Sequence, residues 1–275
     1  MSACGTCASG CGLRSALVRL GSRKSKPDYV IGLVGNPNTG KSTVFNTLTG
    51  LSQHTGNWSG KTVTLMEGSL EHESKKFNIV DLPGTYSLLS TAKDEEIARD
   101  FILFRRPDVT VIVVDATCLE RNLNLVLQVL EITDRVVLCL NLMDEARRKG
   151  ISINEKRLAQ DLGVPVVPCA ALQRIGMPEL VQAVHGVACG RIKTAPRRFP
   201  VGRDILEAVE ELLPLIERIA PGLPNARWIA MRLLDGDERI RSAFEKGEIL
   251  RLVKGPDDFD GTSPRSYGQR RLVPA

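Results

Sequence analysis

Short apolar runs alternate with stretches of helical spacing along most of this chain, a pattern that predicts a mostly parallel sheet covered by helices on both faces. Residues 29–34 read Tyr-Val-Ile-Gly-Leu-Val, a β-branched run suited to a strand buried on both sides. A helix is predicted over 42–48. Residues 62–70 alternate in period two and, with 77–80, predict a hairpin at one edge of the sheet. Buried strands are predicted over 109–114 and 136–140, helices over 122–132 and 154–162, a short strand over 164–168 and a closing helix over 177–187. Such a sheet binds its ligand at the carboxyl ends of its strands. Residues 191–203 then turn basic and contain proline, as a linker does. Helical spacing returns over 204–219, 227–234 and 238–253, predicting a small all-α domain over 204–254. The tail, 255–275, is rich in Gly, Pro, Asp and Ser, and is expected to be disordered. Residues 1–27 form a leader, and the α/β domain is expected over 28–190.

Composition changes this picture little. With 275 residues, 43% hydrophobic and 25% charged, the chain can bury a sizeable core and is neither fibrous nor wholly disordered. No apolar run is long enough to span a bilayer, and the start lacks a signal peptide's hydrophobic centre, so residence in the cytosol is expected. The net charge of +5 is modest, and aromatic residues are not interleaved with the basic stretches at 19–26 and 191–203, so nucleic acid is not the expected partner. Seven cysteines, an odd number, argue against a disulfide framework. Cys118, Cys139, Cys169 and Cys189 are scattered and read as small core residues or unreactive loop residues. Cys4, Cys7 and Cys11 cluster between Gly and Ser spacers. Two readings stand for them: a metal or iron–sulfur site whose fourth ligand is not identified, or a reduced flexible tail.

The chemistry-bearing motifs fall at predicted strand ends. Gly35-Asn36-Pro37-Asn38-Thr39-Gly40-Lys41-Ser42 lies between the first strand and a helix. Its glycines let backbone N–H groups converge on phosphate oxygens, Lys41 adds charge at the β/γ phosphates, and the Ser42 hydroxyl can ligate Mg²⁺; Thr43 continues the site into the helix. The strand over 77–80 ends in Asp81-Leu82-Pro83-Gly84. Asp81 can hold a Mg²⁺-bound water and the Gly84 N–H can bond a γ-phosphate, although the tetrapeptide alone would pass for a common turn. The strand over 136–140 ends in Asn141-Leu142-Met143-Asp144. A carboxylate accepts from both the N1–H and the exocyclic amine of guanine, a donor pair adenine lacks, so Asp144 predicts GTP over ATP. The competing reading is an N-cap aspartate.

Together these residues resemble a translation-factor-related GTPase of the TrmE-Era-EngA-like class, which implies a P-loop G domain. A narrower resemblance rests on Thr55-Gly-Asn-Trp-Ser-Gly-Lys-Thr-Val63, Asp81-Leu-Pro-Gly-Thr-Tyr-Ser87 and Arg227-Trp-Ile-Ala-Met-Arg-Leu-Leu-Asp-Gly-Asp-Glu238. These look like the cytosolic G domain and helical domain of ferrous iron transport protein B (FeoB), including an apolar Leu142 where related enzymes carry lysine. The resemblance implies a GTP-hydrolysing regulator of Fe²⁺ uptake that binds GTP and GDP. Its partners would be a membrane permease subunit or a FeoB-type membrane domain, and a FeoA-like small protein, with peripheral placement at the inner face of the plasma membrane. It also implies Thr62 as the switch threonine on Mg²⁺ and γ-phosphate, with an ordinary strand-start threonine as the alternative. Asn57 to Gly60 would belong to a mobile first switch, with Trp58 as a packing anchor there.

By the same resemblance Asn38 is a K⁺ ligand, a loop-stabilising side-chain bond being the alternative. Lys41, Thr62 and Gly84 would then carry catalysis. Thr85 follows Gly84 where Ras-like enzymes place a water-orienting glutamine, and threonine is too short for that work, so hydrolysis is expected to be slow unless K⁺, a switch residue or backbone groups assist. Cys169-Ala170-Ala171 stands where a Ser-Ala element supports guanine, and the missing hydroxyl predicts weak or fast-exchanging nucleotide. The family continues into a permease and this sequence stops at Ala275, so it reads either as a free-standing regulatory subunit or as a fragment. Three rival functions remain: a ribosome-assembly or RNA-associated GTPase, a non-catalytic GTP-dependent switch, and a metal or redox sensor built on the leader cysteines.

Overall fold

The first apolar run forms β1 (Tyr29–Gly35), the axis of the sheet in the computed structural model of the chain. The structure describes residues 27–250 except 51–52, 58–63, 90–91, 199–200 and 224. After α1 (Lys41–Thr49) come β2 (Gln53–Asn57), β3 (Thr64–His72) and β4 (Lys75–Asp81), then α2 (Lys93–Asp100), which runs into a π-helical turn over Phe101–Arg105. Next are β5 (Val109–Asp115), α3 (Leu119–Ile132), β6 (Val136–Asn141), α4 (Met143–Arg148), α5 (Glu155–Leu162), β7 (Val166–Pro168) and α6 (Met177–Ala188). Three further helices follow, α7 (Arg203–Ile219), α8 (Ala226–Leu234) and α9 (Glu238–Glu245).

The seven strands lie in the order β2-β3-β4-β1-β5-β6-β7. From β4 to β7 all pairings are parallel, while β3 pairs antiparallel with both β4 and β2. The expected hairpin is present, but β2 pairs outside it and takes the edge. Period-two alternation sorts side chains to two cores, as a sheet covered on both faces requires. Ile31, Leu33, Val111, Val113 and Cys139 pack under α1 and α6. Val34, Ile112, Val114, Leu138 and Leu140 face α2 and α3, and that cluster continues without a break into Val209, Ile216, Trp228, Ile229 and Ile240 of the last three helices.

Three expectations change. The residues expected to form a linker, 191–203, are partly strapped down: Ala195 N–H donates to Gly163 O (3.0 Å), Arg197 N–H to Leu162 O (3.1 Å), and Ile192 N–H to Gly186 O (2.9 Å). The helix expected over 238–253 is broken after Glu245, where the chain turns through Gly247 with φ 68° before helical conformation resumes at 249–250. Helices α2 and α4 and strand β2 carry no apolar period of their own and were not expected. The leader cysteines Cys4, Cys7 and Cys11, and the tail 255–275, lie outside the described residues.

Candidate nucleotide site

Four loops meet at the carboxyl end of the parallel strands. β1 delivers the first at Gly35, where a Cβ would stand 2.5 Å from Val113 O, so only glycine fits there. Thr39 Oγ1 donates to Asn36 O (2.9 Å) and draws the loop into a tight arc. Asn38 (φ 67°) and Gly40 (φ 78°) take left-handed conformations, and Asn38 is exposed. Helix α1 then starts with no side-chain cap, which leaves its first N–H groups open to an anion. Ser42 is exposed and Thr43 half-buried in this first turn.

The second loop is fastened to the first. Leu82 N–H donates to Leu33 O (3.0 Å) and Thr85 N–H to Gly35 O (3.1 Å), while Gly84 packs against Pro37, beside Pro83. Lys41 Nζ forms an ion pair with the Asp81 carboxylate, so the two charged groups of the phosphate end already touch. Burial raises the Asp81 carboxyl above its usual range, with Lys41 pulling the other way. Asn36 is 3% exposed, and neither end of its amide has a hydrogen-bond partner in the structure. An unpaired buried amide costs about 1–3 kcal/mol, a cost that a polar ligand at this loop relieves. Thr85 is buried, and its hydroxyl donates to Ser87 O (2.6 Å), so it is turned away from the cleft.

The base end is organised by Asn141. Its Nδ2 donates to Thr39 O (2.9 Å) and its Oδ1 accepts from Ala171 N–H (3.1 Å), tying the phosphate loop to the loop after β7. Leu142 turns the chain with φ 62°, and Met143 N–H donates to Cys169 O (3.1 Å), which sets α4 and places Asp144 at the cleft. The Asp144 carboxylate accepts from Gln173 Nε2 (3.0 Å), a partner that the sequence reading missed because Gln173 lies in a single 3₁₀ turn too short to show a pattern. Ala170 and Ala171 are buried beneath it. Cys139 and Cys169 are buried, whereas Cys118 and Cys189 are exposed. The Cys139 thiol is pushed up by its contact with Cys169 and by burial, which keeps it protonated as a packing group. Every predicted residue of the four loops is therefore brought together. Thr62 lies outside the described residues.

A family model described as ferrous iron transport protein B matches residues 29–184, and one described as the FeoB cytosolic helical domain matches residues 202–255. The Fe(2+) transporter FeoB of Methanocaldococcus jannaschii is 39% identical over 245 residues, covering 89% of this chain and 36% of that protein. A Porphyromonas gingivalis protein named as an Fe(2+) transport protein A/FeoB fusion is 40% identical over 233 residues, covering 82% of this chain and 28% of its own length. The chain thus spans about a third of the length of the curated relatives it matches. Among solved structures, an S. thermophilus NFeoB variant bound to GDP superposes with a TM-score of 0.70 at 34% identity, over 84% of this chain and 87% of that one. With four loops gathered at the carboxyl ends of a mostly parallel sheet, and both family models matched in order along the chain, the chain belongs to the FeoB ferrous iron transport family.

Proposed function

We propose that this chain is the GTP-binding and slowly GTP-hydrolysing module of a ferrous iron transport system. The observation that carries the reading is Asn141, whose amide holds the phosphate loop and the base loop together while Asp144 stands at the cleft between them. In this reading GTP lies with its phosphates over residues 35–43 and its base against Asp144, from which Gln173 swings away. Ser42 and Asp81 suit Mg²⁺: Ser42 Oγ would be a direct ligand and Asp81 would hold the ion through water, with Thr62, outside the described residues, as the further ligand the resemblance implies; the ion would supply positive charge to the phosphates. Lys41 then leaves Asp81 for the phosphates. The Gly84 N–H holds the γ-phosphate, and because Thr85 is bonded inward no side chain at that position orients the attacking water, which makes hydrolysis slow. Asn38, exposed and left-handed, supplies a K⁺ ligand whose charge assists the reaction.

The P. gingivalis relative carries a transport protein A segment by name, which supports a FeoA-like small protein as a partner here, beside a permease on the membrane side. Among the described residues no helix is long and apolar enough to cross a membrane. In this reading the ion passes through a permease subunit or a FeoB-type membrane domain, with this module at its cytosolic face.

The test is GTP turnover in K⁺ and in Na⁺ by the wild-type chain, Lys41→Ala and Asn38→Ala. Potassium-stimulated turnover that both variants lose is expected. Guanine nucleotide bound by the wild type but turned over in neither salt would remove the catalytic claim and leave a non-catalytic switch.

A further inference from the structure

The hairpin between β3 and β4 turns in two residues, Glu73 (φ 47°) and Ser74 (φ 60°), with His72 paired to Lys75 across it. Such a turn favours Asn-Gly, and two non-glycine residues held left-handed fix the direction of the Glu73 side chain. The turn stands at the amino end of β4, so it lies at the far end of the sheet from the nucleotide loops. α6 runs from the base loop toward that same end and places His185 against it. We propose that His72, Glu73 and His185 form a binding site for a divalent transition-metal ion of the class that accepts imidazole and carboxylate together, such as Zn²⁺, Co²⁺ or Fe²⁺.

Three observations support this. One ligand atom from each residue lies within 4.8 Å of the others. His72 Nε2 is 3.6 Å from Glu73 Oε1, and His185 Nδ1 is 3.3 Å from Glu73 Oε2; ligands about 2.1 Å from a tetrahedral ion stand about 3.4 Å apart. His72 Nε2 is buried and has no hydrogen-bond partner in the structure. At His185, Arg191 Nη2 approaches Nδ1 to 2.9 Å. A guanidinium can only donate, so Nδ1 carries the lone pair that a metal ion would use, and Arg191 holds it in this structure. Arg191 also contacts Glu73 (3.2 Å), and its positive charge stands in for the ion until an ion displaces it. Three protein ligands leave one position for water or an exchangeable group.

The whole chain, with Cys4, Cys7 and Cys11 changed to Ser so that no leader thiolate competes, is titrated with Co²⁺ and followed by its d–d absorption. One equivalent is expected to bind, with affinity falling at least about tenfold in His72→Ala and in Glu73→Gln. Both residues are accessible, and circular dichroism confirms that the variants fold. Arg191→Gln is expected to bind more tightly, because the competing cation is gone. Unchanged binding in the His72→Ala, Glu73→Gln double variant, no binding to the folded parent, or weaker binding in Arg191→Gln would each overturn the assignment.

Discussion

Asn141 uses both ends of its amide on two loops, one 102 residues before it and one 30 residues after it, and each bond is to a backbone group. Asn141→Ala leaves the Thr39 carbonyl and the Ala171 N–H unpaired in a buried place. Stability is expected to fall by about 1–3 kcal/mol in urea denaturation, with weaker guanine-nucleotide binding. Asn141→Asp should be worse, because the lost Nδ2 donor becomes an oxygen facing the Thr39 carbonyl. Gly40 tests the same junction from the other side. A Cβ there would sit 2.4 Å from Asn141 Nδ2, on a backbone at φ 78° that costs an L-residue about 1–2 kcal/mol. Gly40→Ala is therefore expected to weaken binding of a fluorescent GDP analogue by at least about tenfold. Asp144 is the acid that the proposed function sets against the base, a reading that rests on local chemistry. Asp144→Asn presents an amide donor where guanine offers its amine, and is expected to shift preference from GTP toward XTP, whose ring carries a carbonyl there; competition binding reads the shift.

Among the elements, α2 shows what the chain conceals from a local reading. Its sequence, Lys-Asp-Glu-Glu-Ile-Ala-Arg-Asp, has almost no apolar face, yet Arg99 and Asp100 at its end are buried. The partners explain it: Arg99 Nη1 pairs with Asp237 (3.1 Å), and Arg239 Nη2 bridges Asp100 (3.2 Å) and Glu248 (2.8 Å) while lying over the Phe104 ring. Those partners are 138 and 139 residues away, and no periodicity can announce them. By contrast β1, β5 and β6 were readable, because strands buried on both faces must be continuous apolar runs. The phosphate loop was readable because its glycines answer to local geometry. The left-handed turn at Leu142 was not, since nothing in a leucine indicates it. Asp237 has a second duty, accepting from Arg239 N–H and Ile240 N–H as the N-cap of α9. Asp237→Asn keeps a cap but leaves Arg99 only its longer contact with Asp100 (3.8 Å), and is expected to lose stability, by less than the ~3–5 kcal/mol of a buried charge with no partner. Asp237→Ala should lose about 1 kcal/mol more through the missing cap. Thermal denaturation of both variants separates the two contributions.

At the scale of the whole molecule, the question is whether nucleotide state reaches the last three helices. The covalent and packed route is short. Gly84, which the proposed function sets against the γ-phosphate, lies in the second loop, and Leu88 further along it is buried, its N–H donating to Gln128 of α3 (2.6 Å). α2 follows, and its Arg99 and Asp100 grip Asp237 and Arg239 at the start of α9. A packed interior transmits a displacement at one end of such a helix rather than absorbing it, and a buried ion-pair network has few intermediate arrangements. Spatial continuity alone does not establish coupling, so the network must be cut to test it. Hydrogen–deuterium exchange with GDP and with a non-hydrolysable GTP analogue is expected to differ over 82–88, over 93–105 and again over 238–245. In Asp237→Asn the difference over 82–88 should persist, because the γ-phosphate contact is untouched, while the difference over 238–245 should vanish. If wild-type exchange over 238–245 is the same in both nucleotides while 82–88 responds, the last three helices are a fixed buttress for α2 rather than a reporter of nucleotide state.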